Sequence, residues 1–238
     1  MKKIIFTLFI LFFTLKTNAT IVHVANDVRN YTNNGSSVVL NVSPTTLNNL
    51  MIVSLSWCCS TGVPTVSDDK SHTWTLVGTS PGGSYGHISI YYAFSTTAGV
   101  GTVTVAAGGE TQISASFSEY SGVQNSPPIT DGYVTSTTST SNANSGSLTP
   151  TVSGDLLYCA GTNIDTSQAG SMSASYTNVV NYTNSASVLG LDAGYQVYAS
   201  TASKNCTISW GTVFNSPIAL VAFKPISSAK IFHKATTD

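Results

Sequence analysis

After residue 19, no window longer than eight residues in this 238-residue chain sets its apolar side chains at helical spacing. Short runs of strand-favouring residues recur instead, each ending in a turn. "ISASFS" (113–118) alternates strictly, with Ile113, Ala115 and Phe117 on one side and serines on the other. Side chains along a strand have a period of two, so this pattern predicts a half-buried strand with its serines facing solvent. Asn34-Gly35, Pro81-Gly82-Gly83, Gly108-Gly109 and Asn215-Ser216-Pro217 mark turns. Lys and Glu are scarce while Ser, Thr, Val, Tyr and Gly abound, which disfavours helix and favours strand and turn. The expected fold is all-β, with strands at 21–27, 37–42, 50–57, 73–79, 87–94, 102–106 and 113–120. A second series follows at 131–138, 146–149, 155–161, 176–182, 193–199, 206–210 and 217–224.

The two series correspond. "SPTTLNNLMIVS" (43–54) is matched by "TPTVSGDLLYCA" (149–160), and the match continues through Trp74–Val77 with Tyr176–Val179, Phe94–Ala98 with Tyr198–Ala202, and Ala115–Phe117 with Ala219–Val221. An internal duplication of about 105 residues follows from the steady offset. The partner of "ISASFS" is "IALVAF" (218–223), where the serine positions turn apolar. A strand apolar on both faces is buried on both faces. The halves, 20–130 and 131–224, are therefore expected to form one jelly-roll-like β-sandwich rather than two beads. "VTSTTSTSNANSGS" (134–147) reads as a linker or as an exposed strand with a loop, and 225–238 as a tail.

The first nineteen residues have the layout of a cleaved secretory signal peptide: Lys2 and Lys3, an apolar run over 4–15, then small residues at Thr17 and Ala19. About twelve apolar residues fall short of the roughly twenty that cross a bilayer. An exported chain, secreted or at the cell surface, is expected, with no membrane insertion. Without Lys2, Lys3 and Lys16, six of the nine basic residues remain against ten acidic ones. No basic cluster exists to meet phosphates, so nucleic acid is not an expected partner. Cys58, Cys59, Cys159 and Cys206 suit an oxidising compartment, and Cys159–Cys206 is the expected disulfide. The adjacent pair Cys58-Cys59 is expected to stay reduced or to sit in a loop.

"GDLL" (154–157), "DDKSHTWTLVGT" (68–79), "SEYSGV" (118–123) and "ALVAFK" (219–224) resemble a recurrent, uncharacterised β-sandwich module of bacterial exported and phage-associated surface proteins. The resemblance implies the sandwich and an extracellular or surface setting, and brings no activity with it. The chain departs from that module at Ser71-His72, where Gly-Asn is common.

The chain has no G-x-S-x-G elbow, H-E-x-x-H helix or P-loop. Glu119 reads as a strand-end acid bonded to a neighbouring loop, and Asp155 as a cap on the backbone amides of its turn. The expected function is a non-enzymatic recognition module whose partner is a glycan or another surface protein. The alternatives are a structural subunit of an extracellular or phage-related assembly and a hydrolase with an atypical carboxylate pair. The expected ligand site joins loop 58–72 to an outer sheet face. Asp68, Asp69 and His72 would contact hydroxyls or ions, and His87 and Tyr91 would stand exposed on the sheet, with Tyr91 stacking on a sugar ring. No cofactor is expected; Ca²⁺ at Asp68-Asp69 is the alternative.

Overall fold

The structure, a computed structural model, describes residues 16–59, 62–82, 86–127, 129–163, 169–182, 189–211 and 215–229. Most of the expected signal peptide, 1–15, and the last nine residues of the expected tail lie outside the described residues. The chain is all-β, built from antiparallel sheets, and sandwich-like.

In the first large sheet, Val22–Asn41 (β2), Thr102–Ser121 (β7), Leu50–Cys58 (β3), His87–Phe94 (β6) and Thr75–Thr79 (β5) lie side by side in that order. Thr65–Asp68 (β4) pairs with the far part of β7. In the second, the order is Thr130–Ser139 (β8), Asn215–Phe223 (β15), Asp155–Gly161 (β10), Leu191–Tyr198 (β13) and Thr177–Tyr182 (β12). A small sheet orders Asn142–Asn144 (β9), Thr207–Ser209 (β14) and Ser171–Met172 (β11). Lys16–Asn18 (β1) pairs with Ser227–Ala229 (β16), so the described part of the expected tail contains a strand.

Two expected turns are absent. Asn34-Gly35 lies within β2 and Gly108-Gly109 within β7, and the two strands form one long antiparallel pair with register shifts at Val24/Val28, Thr32/Gly35 and Gly35/Ser37. Such irregularities bend a strand pair without ending it. The near end of this pair joins β3 through β7. Its far end, 37–41 against 102–106, joins β4 and folds back over the sheet. The packing shows this: Val38, Leu40, Val103 and Val105 of the far end share one apolar cluster with Met51, Val53, Leu55, Tyr91 and Phe117 of the sheet.

The second sheet is covered in a similar way. Ala143, Ile208 and Trp210 of the β9–β14 layer pack with Leu157, Leu220 and Ala222. Between the two large sheets lies the third cluster, where Leu50, Ile52, Ile88, Ile90 and Tyr120 meet Leu156, Tyr158, Leu191, Val221 and Phe223. Among the described residues, three apolar seams thus lie between successive strand layers.

The central seam corrects the solvent-facing serines. Ser114, Ser116 and Ser118 are buried against the second half. Ser54 Oγ is 2.7 Å from Ser116 Oγ and 3.0 Å from the Tyr158 hydroxyl, Ser56 donates to Thr162 Oγ1, and Ser114 donates to the Leu189 carbonyl. Alternation correctly divides this strand into two faces, but the polar face meets another protein surface. Hydroxyls bonded in this way avoid the penalty of about 1–3 kcal/mol for each buried polar group left unpaired.

Candidate functional site

β4 ends at Asp68, and the turn that follows wraps around its carboxylate. Oδ1 accepts from the backbone N–H of Lys70 (2.8 Å) and of His72 (3.4 Å), and lies 3.1 Å from His72 Nδ1. Oδ2 accepts from Trp74 Nε1 at 2.7 Å. His72 Nε2 in turn accepts from the backbone N–H of Thr97 at 3.1 Å. A ring nitrogen that accepts carries no proton, so Nδ1 bears it and donates to Asp68. Burial alone would raise the Asp68 pKa, but the donors from Lys70, Trp74 and His72 outweigh it and hold the carboxyl below its usual value. Asp69 is exposed and its two oxygens accept from the Gly101 N–H at 3.2 and 3.3 Å.

The structure therefore brings Asp68, Asp69 and His72 together, as clamps joining the 69–74 turn to the 95–101 connection. The polar atoms of Asp68 and His72 are directed into the protein. Donors already occupy both Asp68 oxygens, and no group of three or more His, Cys, Asp or Glu that could hold a metal ion occurs among the described residues.

His87 and Tyr91 are corrections. Tyr91 is expected on an exposed face, but the folded-back end of the β2–β7 pair and β4 cover that face. Tyr91 is buried in that seam, its hydroxyl donating to the Pro64 carbonyl at 2.6 Å, and its burial raises its pKa. It does meet loop 58–72, but underneath it, where no sugar ring reaches. That loop is itself less irregular than expected, since β4 lies within it. His87 is half-buried at the opposite end of β6 from Phe94, stacked on Trp57 with ring centroids 4.2 Å apart and 16° between planes. Its Nδ1 lies 3.3 Å from the Ser80 carbonyl oxygen.

An open groove of about 310 Å³ lies beside the Asp68 clamp, at the other end of β6. Tyr92, Phe94 and Ile129 supply its apolar surface, and Ser71, Thr73, Thr75 and Asn125 its exposed polar groups, with His72 between them. The Tyr92 ring is half-buried and held edge-on by Phe223, 5.6 Å away at 75°, and by Phe94, 6.5 Å away at 80°. An aromatic surface braced on both sides and ringed by hydroxyls and an amide can receive a ring that is apolar on its face and polar at its edge. Sequence reading missed Tyr92 because it shares the face of Ile88 and Ile90, which are core. The alternation contains no sign that the cover of the sheet stops short of this end.

The remaining singled-out residues are structural. Glu119 is buried, and its Oε1 accepts from Thr46 N at 2.8 Å and Asn49 Nδ2 at 2.7 Å, tying the 43–49 loop to β7. Cys159 and Cys206 are bonded, their Cα atoms 6.4 Å apart, inside the outer seam of the second half. Cys58 and Cys59 are bonded to each other as well, which overturns the expectation of reduced thiols. The chain turns at Cys59, whose φ is +70°, as it leaves β3. No protein family, curated protein or solved structure matches the chain.

Proposed function

We propose that this chain is a secreted or surface-exposed recognition module that binds glycan without chemistry. Its site is the groove at the Phe94 end of β6, and its body is a jelly-roll-like sandwich of two related halves. The observation that carries the reading is Tyr92, half-exposed and braced by Phe94 and Phe223 within a rim of hydroxyl and amide groups. Sugar recognition rests on that pairing of a stacking face with fixed polar groups. Export is supported by the layout of residues 1–19 and by two disulfides, bonds that persist in oxidising compartments.

The related halves are supported by strand order and register. β2-β7-β3-β6-β5 has its counterpart in β8-β15-β10-β13-β12. Leu50, opposite Phe94 and Tyr120, corresponds to Leu156, opposite Val197 and Phe223. Val105, opposite Val38 and Val66, corresponds to Ile208, opposite Ala143 and Met172.

A glycan array probed with the full chain tests the function. Tyr92→Leu keeps apolar bulk against Phe94 and Phe223 but removes the aromatic face. Roughly tenfold weaker binding is expected, the equivalent of about 1.4 kcal/mol, with an unchanged melting temperature. An array without hits, or Tyr92→Leu binding as the parent does, would sink the glycan reading and favour an assembly subunit.

A further inference from the structure

We propose that the Lys224 side chain condenses with that of Asp131, beside the buried Asp155, to form an intramolecular amide crosslink.

Three neighbouring strands bring these residues together. Leu156 of β10 stands opposite Phe223 of β15, so Asp155 and Lys224 are the next residues beyond that pair. On the other side of β15, the register with β8 shifts between Ala222, opposite Gly132, and Phe223, opposite Thr130. Asp131 falls in that shift with no residue opposite it. Gly132 takes φ +142° there, a conformation side chains rarely adopt, and a Cβ on it would lie 3.3 Å from Leu148. The irregularity turns the Asp131 carboxylate towards the end of the central strand, where Lys224 Nζ lies 3.2 Å from its Oδ1.

The contact is half-buried, with the exposed Thr151 beside it. The Asp131 side chain is 3% exposed and that of Lys224 19%, and Asp155 is fully buried. Asp131 Oδ2 accepts from the Thr151 N–H at 2.5 Å, and the Thr151 hydroxyl lies 2.6 and 2.8 Å from its two oxygens. Asp155 does not cap its turn: neither of its oxygens has a donor. Two carboxylates cannot hydrogen-bond to each other, but a protonated Asp155 can donate to Asp131. Burial first, and then the Asp131 carboxyl, push Asp155 up to about 8 against the pull of Lys224, so it is mostly the acid at neutral pH.

The reaction balances without a further reagent. One proton passes from the Lys224 ammonium directly to Asp131 Oδ1, 3.2 Å away, while Asp155 keeps its own. The freed amine pair bonds to Asp131 Cγ while the Thr151 N–H holds Oδ2, where negative charge builds. The Cγ–Oδ1 bond then breaks and Oδ1 leaves as water, taking a second proton from the nitrogen. An ammonium and a carboxylate become one neutral amide and one water, and Asp155 ends as it began. Holding amine and acid in contact favours a condensation that dilute solution opposes.

Peptide mass mapping of the folded full chain, after disulfide reduction, tests this. The expected result is one joined species containing Asp131 and Lys224, lighter than the sum of its two peptides by one water. Lys224→Arg keeps the ion pair but lacks the primary amine, and should yield separate peptides and melt at a lower temperature than the parent. Asp131→Asn should give the same joined product, releasing ammonia instead of water. Recovery of the Asp131 and Lys224 peptides apart, at unmodified mass, from natively folded parent protein would overturn the proposal.

Discussion

Four donor contacts converge on the carboxylate of Asp68, and removing it would leave Trp74 Nε1 and the His72 ring without an acceptor in a half-buried site. Asp68→Ala should therefore cost roughly 2–3 kcal/mol, the range for hydrogen bonds to a charged group, read as a lower denaturant midpoint. The pH dependence has a definite sign. The folded pKa of Asp68 lies below 3.8, so the unfolded chain binds more protons as the solution is acidified. The stabilisation is complete above the unfolded value and is lost as pH falls through the folded one. Asp68→Asn cannot titrate, so its stability should fall less steeply than that of the parent below about pH 4. Two midpoint series against pH check this; parallel curves would show that Asp68 contributes nothing to acid sensitivity. His72 locks the same turn through Thr97, which explains why polar residues that suggest a ligand site serve here to position the groove wall.

Strands are legible in this sequence, and their coverage is not. β3, β6, β10 and β13 lie where alternation and apolar runs place them. β2 and β7 do not end at Asn34-Gly35 and Gly108-Gly109, because a turn signal also suits a bend within a strand whose partner continues. β6 shows the limit most clearly. Its two faces are read correctly, yet Tyr91 is sealed under Pro64 while Tyr92, on the nominal core face, reaches the groove. That outcome depends on β4, on the 125–129 segment and on the second sheet, none of which is adjacent in sequence. The cysteines of β10 and of the segment before β14 meet because those two layers pack face to face. Their bond closes a loop with a sequence separation of 47, for which chain entropy predicts about 4 kcal/mol. Joint replacement of Cys159 and Cys206 by Ala should remove most of that, measured by urea unfolding. An unchanged midpoint would mean that the seam alone holds the layers together.

At the scale of the whole molecule, the question is whether either half stands alone. The central seam mixes the halves side chain by side chain, with Leu50, Ile52, Ile88 and Ile90 on one wall and Leu156, Tyr158, Val221 and Phe223 on the other, all fully buried. Polar ties cross it too: Ser54 with Tyr158, Ser56 with Thr162, Ser114 with the Leu189 carbonyl, and Arg29 with the Asn181 carbonyl. Separation would expose an apolar sheet face of the kind that soluble monomers rarely show. It would also leave Tyr158 and Phe223, two of the largest buried side chains, facing water. At about 25 cal/mol per Å² of apolar surface, a few hundred Å² left uncovered on one half amounts to roughly 5–10 kcal/mol, as much as the whole stability of a small domain. Fragments 20–130 and 131–238 expressed apart should therefore aggregate, or associate through the uncovered faces. Mixed during refolding, they should reconstitute one cooperative transition. Two soluble, monomeric fragments, each melting cooperatively by itself, would show that the halves are independent domains and that the central seam is only a contact between them.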